Sequence, residues 1–453
     1  MNLNPAIETN HTNIQMQDDS NLENPVEPTT TTPTPTLTPP TTIRASNNID
    51  LLESHSGLRG LCALWVCLYH NVRYGSYGDK LVLNGGVAMP IFFMLSGYSL
   101  SVTYGTKDNF GAMPFYRNRI AKIYPIYILT LLITLPLQFT DFAIFPSFGD
   151  YTTMQFAIKV ILNFLFMNIW VYPLPVSSSI NLPSWFISVL WFQYMIFPIT
   201  MRYYKRIKRK RIALRIHIIA TVVISTYLFR YYDYVAATKT ILTPGFFLFH
   251  IGILSGILCC EEMNGGNQRR WYLFADVSTF LLMAWLCIST FLKAMFDLDY
   301  KSNFIIQVYG TPLIILMVTS LSLDIDGESH IAKIYRLDVS KSLGRISMCL
   351  YLVHLPLLQY FCLILDKIAP DLLTLTDYDP LLNGKSMPWW GAFIMIPLSI
   401  CGAFGLERYV ESPCRRLLHS SAKTFGDSRS MYQVGANGDG SSLHEPLLDN
   451  DVT

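Results

Sequence analysis

Eleven apolar segments run through this chain, at roughly 57–72, 85–103, 120–140, 155–172, 184–201, 213–230, 241–260, 271–292, 304–323, 344–365 and 389–406. A helix crosses a ~30 Å hydrocarbon layer with about 20 apolar residues. Only helices and closed barrels satisfy their backbone polar groups inside lipid. Segments of this length predict an all-α polytopic membrane protein. Composition agrees: the chain is 51% hydrophobic and only 15% charged, whereas soluble domains carry about 25% charged residues. Segments 57–72 and 155–172 are short for a full crossing.

Loop charge predicts the orientation. The stretch RYYKRIKRKR (202–211) carries seven Lys or Arg and belongs on the cytoplasmic side. Alternation then puts 259–270, 324–343 and the tail from Arg408 inside, and 231–240, 293–303 and 366–388 outside. Arg117, Arg119 and Lys122 in FYRNRIAKIYP also point inside, yet three apolar segments separate them from the 202–211 loop. Two loops on one side need an even number of crossings. One segment is therefore expected not to cross: 155–172, or a re-entrant stretch around 141–175 where Pro and Gly interrupt the helix. That leaves about ten transmembrane helices with both termini cytoplasmic.

Residues 1–50 include the Thr/Pro tract PVEPTTTTPTPTLTPPTT (25–42), and 419–453 are rich in Ser, Gly and Asp. Both are expected as disordered tails around a domain at 51–418, since such compositions cannot bury a core. The nine cysteines form no CxxC, and no disulfide framework, metal site or redox motif is expected. The basic 202–211 loop lacks the interleaved aromatics of a nucleic-acid surface. There is no GxSxG, P-loop, Rossmann glycine pattern or HExxH.

Several ionisable residues interrupt the apolar runs, and inside a membrane such residues are costly and mark function or pair off. Arg59 and His70 lie eleven residues apart in SGLRGLCALWVCLYHN. At ~100° per residue, eleven steps end within about 20° of the starting azimuth, so both look out from one face, roughly 16 Å apart along the axis. Arg59 reads as a snorkelling anchor or as a working cation. His70 reads as a satisfied bundle histidine or as a base. In NGGVAMPIFFMLSGYSLS (84–101), the small residues Gly85, Gly86, Ser96 and Gly97 let helices approach, or open a slot for a substrate chain. Arg117, Arg119 and Lys122 are positive-inside residues or a phosphate cradle. His354 sits mid-span in ISMCLYLVHLPLL, with Tyr351 three residues before it on the same face. Glu407, Arg408, Glu411, Arg415 and Arg416 in LERYVESPCRRLL read as an amphipathic cytoplasmic cap.

At these residues the chain resembles the integral-membrane acyltransferase 3 family. SGLRGLCALWVCLYH resembles its opening Arg/His motif, GGVAMPIFFMLSGYSLS its glycine-rich second helix and FYRNRIAKIYPIYIL its arginine-rich third-helix entry. LPSWFISVLWFQYMIFP, LGRISMCLYLVHLPLL and YVESPCRRLL resemble its tryptophan-serine span, its late Tyr-x-x-His-x-Pro helix and its closing Glu-x-Pro motif. The six stand in order over about 53–418. The resemblance implies an O-acyltransferase that moves an acyl group, commonly acetyl, from acyl-CoA to a hydroxyl of a saccharide, lipid or other small acceptor. It implies His70 and Arg59 as the catalytic pair and Arg117 and Arg119 as donor-binding. Lys122, Ser96, Tyr351 and His354 complete the candidate site, with acyl-CoA as donor and no metal. One departure stands out: many members carry a glutamate after Ser-Val in the tryptophan-serine span, and here Leu190 follows Ser188-Val189. Outside that resemblance, the same polar pair fits a proton relay in a small-solute transporter.

Overall fold

The computed structural model describes residues 41–73, 82–105, 111–142, 149, 151–171, 179–231, 235–264, 271–295, 301–324, 326–375, 385–388 and 390–417. Its elements are α-helices: α1 (Thr41–Arg73), α2 (Ala88–Gly105), α3 (Ala112–Thr134), α4 (Thr153–Phe164), α5 (Ser184–Arg206) and α6 (Lys210–Tyr231), then α7 (Val235–Asn264), α8 (Trp271–Met295), α9 (Lys301–Leu323), α10 (His330–Tyr335), α11 (Asp338–Ile368) and α12 (Gly391–Leu406). A two-residue antiparallel ladder, Thr374–Leu375 against Lys385–Ser386, is the only strand pairing among the described residues. α1 starts at Thr41, inside the stretch expected as N-terminal tail. Most of both tails lies outside the described residues.

Among the described residues, six helical stretches are long and apolar enough to cross a membrane: Gly85–Gly105, Ala112–Phe139, Ser184–Arg206, Trp271–Leu292, Asp338–Ile368 and Gly391–Leu417. The predicted segments 57–72, 213–230, 241–260 and 304–323 fall within α1, α6, α7 and α9. The segment at 155–172 is different. α4 has 12 residues, about 18 Å at 1.5 Å per residue, too short for the hydrocarbon layer. It starts with a capping box between Thr152 and Gln155. It ends where Phe166 takes φ 60°, a left-handed conformation that an aromatic residue seldom adopts.

Burial sorts the spans into centre and periphery. The α2 stretch is 89% buried and the Gly391–Leu417 stretch 17%, so α2 is the central post and α12 lies outside. Exposed apolar side chains such as Phe280 on α8 and Phe393 on α12 are what a lipid-facing surface requires. α2 packs on α7 backbone to backbone. A Cβ on Gly97 would stand 2.0 Å from Phe249 O, and one on Gly252 2.2 Å from Met94 O. Without an aqueous hydrophobic drive, such small-residue contacts hold membrane helices together. Gly97→Leu should force this pair apart. Overpacking costs typically ~1–3 kcal/mol, and here the obstacle is backbone, which puts the effect at the upper end. The check is the melting temperature and gel-filtration profile in detergent; an unchanged melt would mean the two helices do not need this contact.

α1 meets α11 in the same manner. A Cβ on Gly60 would lie 2.4 Å from Gly344 N, and one on Gly344 2.2 Å from Ser56 O. This crossing brings the helix of Arg59 and His70 against the helix of Tyr351 and His354.

Candidate active site

Above the Gly60–Gly344 crossing a cavity of about 370 Å³ opens between α1, α2, α3, α5, α11 and the end of α12. Its wall carries five cations, Arg59, Arg119, Lys122, Arg345 and Arg415, against two carboxylates, Glu407 and Glu411. Phe92, Phe186, Leu190 and Ile123 supply apolar wall. A cationic excess in a low-dielectric chamber suits an anionic ligand.

Each cation is set by its helix. Arg59 Nη2 donates to Ser99 Oγ on α2 at 3.2 Å. The Arg119 guanidinium stands over Phe115 and Tyr194, 5.8 and 6.0 Å from the ring centroids, and its buried Nε has no hydrogen-bond partner among the described residues. Lys122 lies three residues on, on the same helix face. The charge acting on it most strongly is Glu411, opposed by Arg119, Arg59 and Arg415. Arg117, two residues before Arg119, points the other way, is exposed and does not line the cavity. Two helical steps rotate by ~200°, so these two arginines cannot share a chamber. Ser96 lines the cavity while its hydroxyl donates to Phe92 O at 2.7 Å.

His70 and His354 do not line the cavity. They pair with each other deeper in the bundle, ring centroids 5.1 Å apart. His354 is fully buried, and its Nδ1 contacts Leu350 O at 3.0 Å. A carbonyl only accepts, so Nδ1 carries the proton and Nε2 of the neutral ring is a bare lone pair. That Nε2 has no partner among the described residues. Tyr351 links the two regions: it lines the cavity, and its ring centroid lies 6.2 Å from that of His354. The structure thus assembles Arg59, Ser96, Arg119, Lys122 and Tyr351 around one space, sets His70 and His354 beside it as a pair, and leaves Arg117 out. Among the described residues no group of three or more His, Cys, Asp or Glu could hold a metal.

Residues 52–408 match the family described as acyltransferase domain. The chain belongs to the acyltransferase 3 family. It is also 28% identical over 171 residues to acyltransferase MdmB of Streptomyces mycarofaciens, which covers 36% of this chain and 42% of that protein. The chain thus matches about two-fifths of the length of this curated relative. No solved structure matches it.

The six motifs that resemble the acyltransferase 3 pattern bound the cavity between them, yet sequence reasoning missed several wall residues. Ser99 and Tyr194 are not singled out by the sequence. Leu190, where a glutamate is common, is apolar wall. The carboxylates come instead from Glu407 and Glu411, expected as part of an amphipathic cytoplasmic cap. A π-turn over Glu407–Glu411 follows α12, a feature often found at functional sites. Its wider winding brings Glu411 inward, only 4% exposed, where Cys349 on α11 donates its S–H to it at 3.3 Å. Ser412 holds Glu407 at 2.9 Å.

Proposed function

We propose that this protein is a membrane-embedded O-acyltransferase that moves an acyl group, most simply acetyl, from acyl-CoA to a hydroxyl of a saccharide, lipid or other small acceptor. The observation that carries the reading is the five-cation cavity whose Tyr351 wall borders the His70/His354 pair. CoA is a polyphosphate joined to a long arm that ends in the reacting thioester. A phosphate cradle separated from a buried base has that same layout.

Arg119, Lys122 and Arg59 take the donor phosphates, with Arg119 Nε as a ready donor. Arg59 lies roughly 16 Å along α1 from His70, so its cation serves the phosphates rather than the thioester oxygen. Neutral His70 accepts the proton of the acceptor hydroxyl as that oxygen attacks the thioester carbonyl. The tetrahedral adduct collapses, the C–S bond breaks and CoA leaves as thiolate, which takes up the proton from the imidazolium. General base help is worth about 10²–10⁴-fold; holding the thioester against the hydroxyl supplies much of the remainder. With cytoplasmic termini and ten crossings, the cations face cytosolic acyl-CoA and His70 lies towards the opposite side.

Purified protein in liposomes should release thiol from acetyl-CoA when supplied with extracts containing the acceptor. Metabolites and glycans of cells lacking the gene should lose an acetyl or longer acyl mass. Solute flux without any thiol release from acetyl- to long-chain acyl-CoA would instead identify a transporter.

A further inference from the structure

α11 passes through an interior proline, Pro356. Proline has no N–H, so the carbonyl four residues earlier, that of Leu352, loses its helical donor. Leu352 is fully buried, and a buried backbone acceptor demands a partner. Asn181 provides it. Its Nδ2 donates to Leu352 O at 2.9 Å, from the short stretch that leads into α5. Asn181 is itself firmly mounted: Ile180 N donates to Asn163 Oδ1 at 3.0 Å, and Ser184 N donates to Asn181 O at 2.9 Å.

The turn that Asn181 grips is the turn of His354. A proline in a helix is a place to bend, and any bend between Leu352 and Pro356 swings the His354 ring relative to His70 on α1. We infer that Asn181 is a positioning residue for acyl transfer: it replaces the hydrogen bond Pro356 removes and so keeps the bare Nε2 of His354 and the His70 ring in register. This rests on the reading of His70 as the base.

The proline supplies its own control. Pro356→Ala restores a backbone N–H to Leu352 O and makes Asn181 redundant. Asn181→Ala should lower kcat about 10- to 100-fold, the scale of a small misplacement of reacting groups, with donor KM unchanged. Pro356→Ala should keep the parent kcat, and Asn181→Ala/Pro356→Ala should regain it to within a few-fold. Amide exchange of peptides spanning 350–358 should quicken in Asn181→Ala and slow again in the double variant. Parental kcat in Asn181→Ala, or a double variant no better than Asn181→Ala, overturns the inference. Should Asn181→Ala fail to accumulate, Pro356→Ala and the double variant are compared directly; a slower double variant counts against it. If the parent transfers no acyl group, or His70→Gln keeps its rate, the functional reading fails while the exchange data still judge the Asn181–Leu352 bond.

Discussion

His70→Gln should leave the protein folded and inserted while cutting acyl transfer by about 10²–10⁴-fold, the usual contribution of a general base. Glutamine fills a similar volume and keeps hydrogen-bonding atoms, so packing against Tyr69 and His354, whose rings lie 4.8 and 5.1 Å from His70, is largely preserved. What it lacks is a nitrogen able to take a proton near neutral pH. The loss should fall on kcat with donor KM little changed, because the proposed phosphate cradle lies at the far end of α1. The measurement is thiol release and product formation at saturating acyl-CoA, with gel filtration to show that the variant is intact. Near-parental turnover would remove the base assignment.

Arg119→Gln should raise donor KM about 10- to 100-fold, and Arg117→Gln should leave it within about two-fold. A charge-assisted hydrogen bond is worth about 1.5–3 kcal/mol, and each ~1.4 kcal/mol is tenfold. The contrast follows from geometry. Arg119 is half-buried on the cavity wall between Phe115 and Tyr194, its buried Nε without a partner among the described residues; Arg117 is exposed on the opposite face. Arg119→Lys should fall between, since lysine keeps the charge but loses the planar fork. kcat at saturating donor should hold, as expected when only ground-state binding is lost. Equal effects at both arginines would mean that the cavity is not where the phosphates bind.

The helical architecture was legible because each apolar run is its own statement of a membrane helix, and Arg59, His70 and His354 stood out because lipid makes such residues conspicuous. The parity of loop charges likewise singled out 155–172, where α4 is too short to cross. Other features depend on contacts the sequence does not print. Arg117 and Arg119 look alike in a motif; their opposite faces follow from a two-residue spacing, a signal present but unused. Glu411 could not be placed by a 3.6-residue wheel, because the π-turn at Glu407–Glu411 resets the winding just before it. Phe166 in a left-handed conformation gave no warning, since its neighbours are neither Gly nor Asn. Asn181 is the clearest case. Its meaning exists only beside a carbonyl that Pro356 leaves open, 171 positions away in the chain.

One helix, α1, carries both the Arg59 cation and the His70 imidazole without interruption. A continuous helix is a fixed rod, so the separation between these two groups does not adapt to what is bound. In any acyl-CoA the covalent arm from phosphates to thioester is the same, and only the tail beyond the carbonyl varies. With acyl-CoA as the donor, as proposed, α1 would act as a gauge for the invariant part of that donor and would be blind to acyl length. On that proposal, selection between acetyl and longer chains would fall to the walls past the imidazoles, and altering donor preference would call for changes there rather than among the arginines.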